Sequence, residues 1–221
     1  VAVDMIVTAS SPYFPNSALK NGIHGGLFGI INVAVNSAVD LTFRFVDRQG
    51  APITVNPFFF TLYDIDQGMD HASRESVTAR GFSEYRVAEE TELRIEVLGD
   101  DSATFTSSLR GGKVDNPTHP FALTNAEKER TVVLKFPATS EFSLSFSESA
   151  YADEDQGRNL LFSGPSSMVC GREHMCTDYI CPDGYHIRTM AEFLVCSGRR
   201  CTESDRDTCC YEIPDVEEDD A

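Results

Sequence analysis

All seven cysteines of this 221-residue chain lie between Cys170 and Cys210, and the residues before them hold none. The cysteines run Cys170, Cys176, Cys181, Cys196, Cys201, Cys209 and Cys210, in a stretch with few aliphatic side chains. A segment that short in apolar surface cannot hold a core by burial alone and needs covalent staples. Zinc is the rival to disulfides, but structural zinc sites pair ligands two to four residues apart. The C-x4-C pairs and the adjacent Cys209-Cys210 fit that poorly. The compact set Cys176, Cys181, Cys196, Cys201, Cys209 and Cys210 is therefore expected to form three bridges, with Cys170 as the odd thiol or the one that pairs externally. Six cysteines allow about fifteen connectivities, and spacing does not choose among them. Disulfides persist in oxidising compartments, so a cytosolic home is not expected.

Charge removes further classes. Eighteen Lys and Arg against thirty-five Asp and Glu leave a formal net charge of −17. A phosphate backbone or an anionic membrane surface repels such a body, so no nucleic-acid partner is expected. No apolar run approaches the roughly 20 residues that span a bilayer. The start, Val1-Ala2-Val3-Asp4-Met5, lacks a basic segment leading into an apolar one, which reads as a mature, soluble chain without a membrane span.

Ahead of the cysteines the dominant signal is alternation with a period of two. Leu41, Phe43 and Phe45 alternate with Thr42, Arg44 and Val46; Leu93, Ile95 and Val97 with Arg94 and Glu96; Phe142, Leu144 and Phe146 with serines. Further strands are predicted at 5–8, 27–35, 58–63, 76–79, 103–106, 131–136 and 159–162, which are rich in Val, Ile, Phe and Thr. Turn clusters such as Asp47-Arg48-Gln49-Gly50 separate them, and no long amphipathic helix intervenes to make a crossover unit. One short helix is expected after Thr124, where Glu127 completes a capping box. The fold class that follows is all-β: an antiparallel, jelly-roll-like β-sandwich over residues 1–165, then a small disulfide-rich module over 166–211 and an acidic tail over 212–221. The Phe58-Phe59-Phe60 run breaks alternation, as a strand buried on both sides or a covered apolar edge would.

The sharpest chemical constellation is the acidic loop Asp64-Ile65-Asp66-Gln67-Gly68-Met69-Asp70, followed by Glu75. Carboxylates at alternate positions can converge on Ca2+, which takes six to eight oxygens from a flexible loop. Asp64, Asp66, Asp70 and Glu75 are the candidate metal ligands. The glycine offset and the absence of flanking helices exclude an EF-hand, and a solvated acidic turn is the plainer alternative. Catalytic signatures are missing: no G-x-S-x-G, H-E-x-x-H, Walker-type or G-x-G-x-x-G motif occurs, and the five histidines are dispersed. Carbohydrate platforms favour Trp and Tyr. The chain has no Trp, leaving tyrosines such as Tyr13, Tyr63, Tyr85 and Tyr185 for that role.

Two stretches carry a resemblance. Leu41 to Asp47, through Pro52 to Asp66, Glu75-Ser76-Val77, Asp115-Asn116-Pro117 and Gly157 to Phe162, resembles a poorly characterised β-rich domain of predicted secreted proteins from dinoflagellate-type algae. The tail from Cys176 through Cys181-Pro182-Asp183-Gly184-Tyr185 to Cys209-Cys210 is similar to a short cysteine-rich repeat in such proteins, from whose six-cysteine pattern Cys170 departs. The resemblance implies compartment and architecture, and no activity. The function expected is that of a non-catalytic structural or accessory subunit, acting through contacts with other proteins of a larger assembly. That assembly would be extracellular or on the cell surface, or in an organelle lumen such as the thylakoid lumen, where peripheral attachment to a membrane complex is open. The alternative is a calcium-dependent, lectin-like carbohydrate-binding module. Phe58-Phe59-Phe60 and the loop from Ser10 to Gly26 are the candidate contact surfaces.

Overall fold

Two of the three alternating segments of the sequence alternate in burial; in the third Leu93 is buried, Ile95 half-buried and Val97 63% exposed, because that segment forms the edge of its sheet. Along β4 (Ser37–Val46) Val39, Leu41 and Phe43 are buried, and along β11 (Glu141–Ala150) Phe142, Leu144 and Phe146 are, while Glu141, Ser143 and Asp40 face out. These observations come from a computed structural model of the protein, which describes residues 3–25, 27–68, 73–112, 116–150, 157–164, 176–189, 191, 194, 196 and 201–212. The chain divides into two units, Val1–Ser166 and Ser167–Ala221.

The first unit is a β-sandwich. Its strands in chain order are β1 (Asp4–Ala9), β2 (Gly22–His24), β3 (Phe28–Val33), β4, β5 (Phe58–Tyr63), β6 (Ser73–Arg80), β7 (Glu84–Val87), β8 (Leu93–Gly99), β9 (Ser102–Ser107), β10 (Val132–Phe136), β11 and β12 (Arg158–Ser163). One sheet runs β1-β4-β11-β6-β9-β8 and the other β2-β3-β12-β5-β10-β7, with antiparallel pairing throughout. Only β2–β3 and β8–β9 are consecutive strands paired within one sheet; the other connections cross between sheets, as in a jelly roll. β2 and β7 escape a reading by alternation. The first is three residues long, and both leave their side chains exposed or only half-buried.

The core is aromatic. Phe43 of β4 stacks on Phe142 of β11 at 4.8 Å between ring centroids. It meets Phe60 of β5 and Phe162 of β12 edge-on, at 5.2 and 5.4 Å. Every residue of β5 is buried, so the Phe58-Phe59-Phe60 run belongs to a central strand covered on both sides and is no contact surface. On its outer side Lys135 lies over the Phe59 ring at 5.9 Å, and the Tyr63 hydroxyl donates to the Pro120 carbonyl at 3.4 Å. The helix α1 (Asn125–Glu129) has the expected box: the Glu127 N–H donates to Thr124 Oγ1 at 3.3 Å, and Glu127 accepts from the Thr124 N–H.

The second unit is stapled. Cys176 is bonded to Cys209, Cys181 to Cys210 and Cys196 to Cys201. The adjacent Cys209 and Cys210 thus tie α2 (Arg206–Cys209) and β14 (Cys210–Glu212), which pairs with β13 (Tyr185–Ile187), back to the 176–181 segment. Among the described residues of this unit Cys176, Cys196, Cys209 and Cys210 are buried with Ala191 and Leu194, so the bridges are part of the buried interior. Cys170 and the acidic tail beyond Glu212 lie outside the described residues. Among the described residues no helix is long and apolar enough to cross a membrane.

Candidate functional site

Among the described residues of the sandwich, two places bear on function. The first is a buried polar cluster where the acidic loop meets β6, β11 and β12. Glu75 of β6 and Glu148 of β11 are register partners in adjacent strands, and both take the inward phase, in line with Val77 and Ala79 on one strand and Phe142, Leu144 and Phe146 on the other. Arg158, at the start of β12 in the facing sheet, reaches three of the nearby acids. Its Nη1 is 3.4 Å from Asp66 Oδ1, and its Nε is 4.0 Å from Glu75 Oε1 and 3.8 Å from Glu148 Oε1. The Arg158 side chain is 27% exposed, whereas that of Glu148 is 0% exposed, so water reaches the cation and not the carboxylates behind it.

The loop is shaped around these groups. The Gln67 N–H donates to the Leu109 carbonyl at 2.9 Å, and the Gln67 carbonyl accepts from the Gly111 N–H at 3.0 Å. A Cβ at Gly111 would fall 1.3 Å from Asp66 Oδ2, so only glycine fits beside that carboxylate. Gly68 stands likewise against Arg158 and Ser73, whose Oγ accepts from Arg158 Nε at 3.3 Å. The Glu75 backbone is clipped to Ser107, with Glu75 N–H donating to Ser107 Oγ at 3.1 Å. Burial, then the Asp66 and Glu148 carboxylates, hold the Glu75 carboxyl well above the usual carboxylate range; Arg158 opposes them, and Asp64 adds to the upward push. Asp64 itself takes a left-handed φ of 58° just after β5, a conformation that Asp tolerates better than most residues.

Of the four acids singled out in the sequence, Asp66 and Glu75 share one guanidinium, Asp64 acts on Glu75 through its field, and Asp70 lies outside the described residues. Glu75 is on a strand, not on the loop. Glu148 and Arg158 are the members that reading the loop alone missed. Glu148 was legible: extending the Phe142-Leu144-Phe146 alternation by one more step places it on the core face. Arg158 carried no such signal, because its role comes from the facing sheet.

The second place is a cleft of about 810 Å³ on the side where β1 ends one sheet and β2 ends the other. Met5 and Val7 from β1, Ile23 from β2, and Phe28, Leu41 and Phe162 from the core line it. Phe28, Leu41 and Phe162 are buried, Met5 and Val7 half-buried, and Ile23 is 82% exposed at the rim. The Ser10 to Gly26 loop contributes to this cleft through Tyr13 and Asn21, which are held by a hydrogen bond between the Tyr13 hydroxyl and the Asn32 carbonyl at 2.6 Å and by the Asn32 N–H donating to Asn21 Oδ1 at 2.8 Å. Among the tyrosines offered for sugar stacking, Tyr63 is buried against Phe28, and Tyr85 packs edge-on to Phe105.

Comparison with solved structures returns adhesin domains. No protein-family model matches the chain, and no curated protein does. The N-terminal domain of the Streptococcus gordonii adhesin Sgo0707 aligns with a TM-score of 0.40 and 10% identity over 57% of this chain and 26% of that one. The adhesin domain of PrgB from Enterococcus faecalis aligns with a TM-score of 0.36 and 13% identity over 60% of this chain and 44% of that one. The chain therefore spans less than half the length of either neighbour.

Proposed function

We propose that the protein is a non-catalytic contact module of a larger extracellular or cell-surface assembly, acting on other proteins through the cleft between β1 and β2. One observation carries the reading: a cleft floored by the buried Phe28, Leu41 and Phe162 runs along this side, with Ile23 and Leu27 exposed beside it. A cluster of apolar surface at a concave site is what a partner buries. The three disulfides support an oxidising compartment, a requirement that an organelle lumen also meets. Native purification followed by mass spectrometry tests the proposal. The expected result is a stoichiometric complex that Ile23→Lys dissolves while leaving the melting temperature of the isolated protein unchanged. A monomer indifferent to that substitution overturns the proposal, and a monomer positive on a glycan array moves the assignment to carbohydrate binding.

A second reading rests on the carboxyl groups gathered at Arg158. Asp66, Glu75 and Glu148 lie within 4.0 Å of one guanidinium, and the field of Asp64 reaches Glu75. A Ca2+ ion taken up by Asp64, Asp66 and Glu75, with Glu148 behind them, would favour their ionised forms and tie the loop to β6 and β11. Calcium is abundant outside cells, so even a weak site would fill. Thermal unfolding in excess calcium and in chelator is the test: a higher midpoint with calcium is expected, and coincident curves withdraw the ion.

A further inference from the structure

We propose that the cleft receives an extended, basic segment of another protein, which adds as a strand to the free edge of β1 and places alternate apolar side chains between the sheets. The inference rests on the contact-module reading and specifies the partner that the cleft takes.

The two sides of the sandwich are finished differently. At one side the edges are β8 and β7. β8 carries Arg94 and Glu96 and a register shift between Val97 and Gly99, and β7 carries Glu84 and Arg86. Charges and bulges of this kind are the devices that keep an edge from pairing with another chain. At the other side β1 pairs with β4 through six consecutive residues with no shift, and Asp4 is its one charged residue. β2 carries no acid, Lys or Arg. Among the described residues no strand pairs with the outer edge of either β1 or β2. A regular, unguarded edge offers backbone N–H and C=O groups at alternate residues to an incoming strand.

Side chains select the same occupant. Met5 and Val7 point to the core side of β1 but stay half-buried, and the floor beneath them is Phe28, Leu41 and Phe162. A strand laid along β1 would send every second side chain into that gap, which is the period-two spacing of β structure. The remaining positions face water beside Asp4, on a unit whose residues 1–166 hold 13 Lys and Arg against 22 Asp and Glu. Lys or Arg at those positions is drawn in, and acids are repelled. The same charge argues against a second copy of this chain, since pairing two β1 edges would bring together two units that each carry an excess of nine acids.

Three synthetic nine-residue peptides test this on the full chain at physiological salt: alternating Val and Lys, alternating Val and Glu, and the Val/Lys peptide with alternate backbone nitrogens methylated. Binding is read by calorimetry, and backbone protection by amide hydrogen exchange. The Val/Lys peptide is expected to bind at least tenfold more tightly than either control, to slow exchange within residues 4–9, and to lose affinity to Ile23→Lys, a rim substitution that leaves folding intact. Equal binding of the methylated peptide would mean charge attraction without strand pairing and overturns the inference, as does equal binding of the Val/Glu peptide. If no peptide binds while Ile23→Lys still dissolves a native complex, the strand partner is wrong and the contact reading survives; if neither occurs, both fall. Dimers seen by sedimentation without peptide assign the edge to a second copy and overturn the inference.

Discussion

Glu75 and Glu148 sit opposite each other in neighbouring antiparallel strands, both facing inward, where like charges destabilise a sheet. The Arg158 guanidinium lies within 4.0 Å of both carboxylates. Glu75→Gln keeps the shape and removes an acid that burial and its neighbours make costly to ionise, so it is expected to stabilise the protein in chelator at neutral pH by about 1–2 kcal/mol. Arg158→Met takes away the counter-charge and is expected to cost about 3–5 kcal/mol. Urea unfolding of both variants checks the pair, and a destabilised Glu75→Gln would show that its charge is fully compensated.

Gly111 gives the acidic loop a separate test. A methyl group there collides with the Asp66 carboxylate, which is itself buried and tied to Arg158. Gly111→Ala is expected to cost about 1–3 kcal/mol through overpacking. Gly50→Ala meets nothing within 4 Å and pays only for its positive φ, so its loss of melting temperature should be the smaller of the two.

Phe43 joins the two layers through four rings, its own with those of Phe60, Phe142 and Phe162. Phe43→Ala is expected to cost about 3–5 kcal/mol, whereas Leu98→Ala, at an exposed position of β8, should stay within about 0.5 kcal/mol. Chemical denaturation of the two variants would reveal whether the sandwich is held at its aromatic centre.

Tyr63 sets the alkaline limit. Burial pushes its hydroxyl up to about 12, against the downward pull of hydrogen bonds to Ser163 and Thr61. Because the folded value lies above the ordinary 10.0, stability is full below pH about 10 and is lost as pH rises through the folded value. The loss amounts to about 2 kcal/mol by pH 12 and levels off just below about 3 kcal/mol above it. Tyrosinate absorbance should appear for this residue together with unfolding, and Tyr63→Phe should flatten that part of the pH profile while costing about 1 kcal/mol at neutral pH.

The bridges make a countable prediction. Alkylation of the unreduced protein is expected to label at most one of seven cysteines, Cys170, with Cys176–Cys209, Cys181–Cys210 and Cys196–Cys201 recovered by peptide mapping. The Sγ atoms of Cys196 and Cys209 lie 3.7 Å apart across two bridges, so sulfur from different bridges is packed together. Bound zinc with several reactive thiols would replace the bridges with a metal site.

What the sequence determined alone is local. Alternation in the segments around Phe43 and Phe142 specified strands with one inward face, because successive side chains of a strand point to opposite sides, whereas the same pattern at Leu93, Ile95 and Val97 gave a strand but not a buried face beyond Leu93. Thr124 and Glu127 specified a helix start, because the partners of a capping box lie three residues apart. The confinement of cysteines to the last quarter specified where staples replace a core. Tertiary structure decided the rest. Arg158 meets Glu75 and Glu148 only because two sheets close over each other, and no spacing along the chain encodes that meeting. The open side between β1 and β2 exists because both strands end their sheets together, and strand order is set by packing between distant segments. Pairing among Cys176, Cys209 and their neighbours was likewise chosen by the folded backbone, since a disulfide needs two Cα atoms brought within reach.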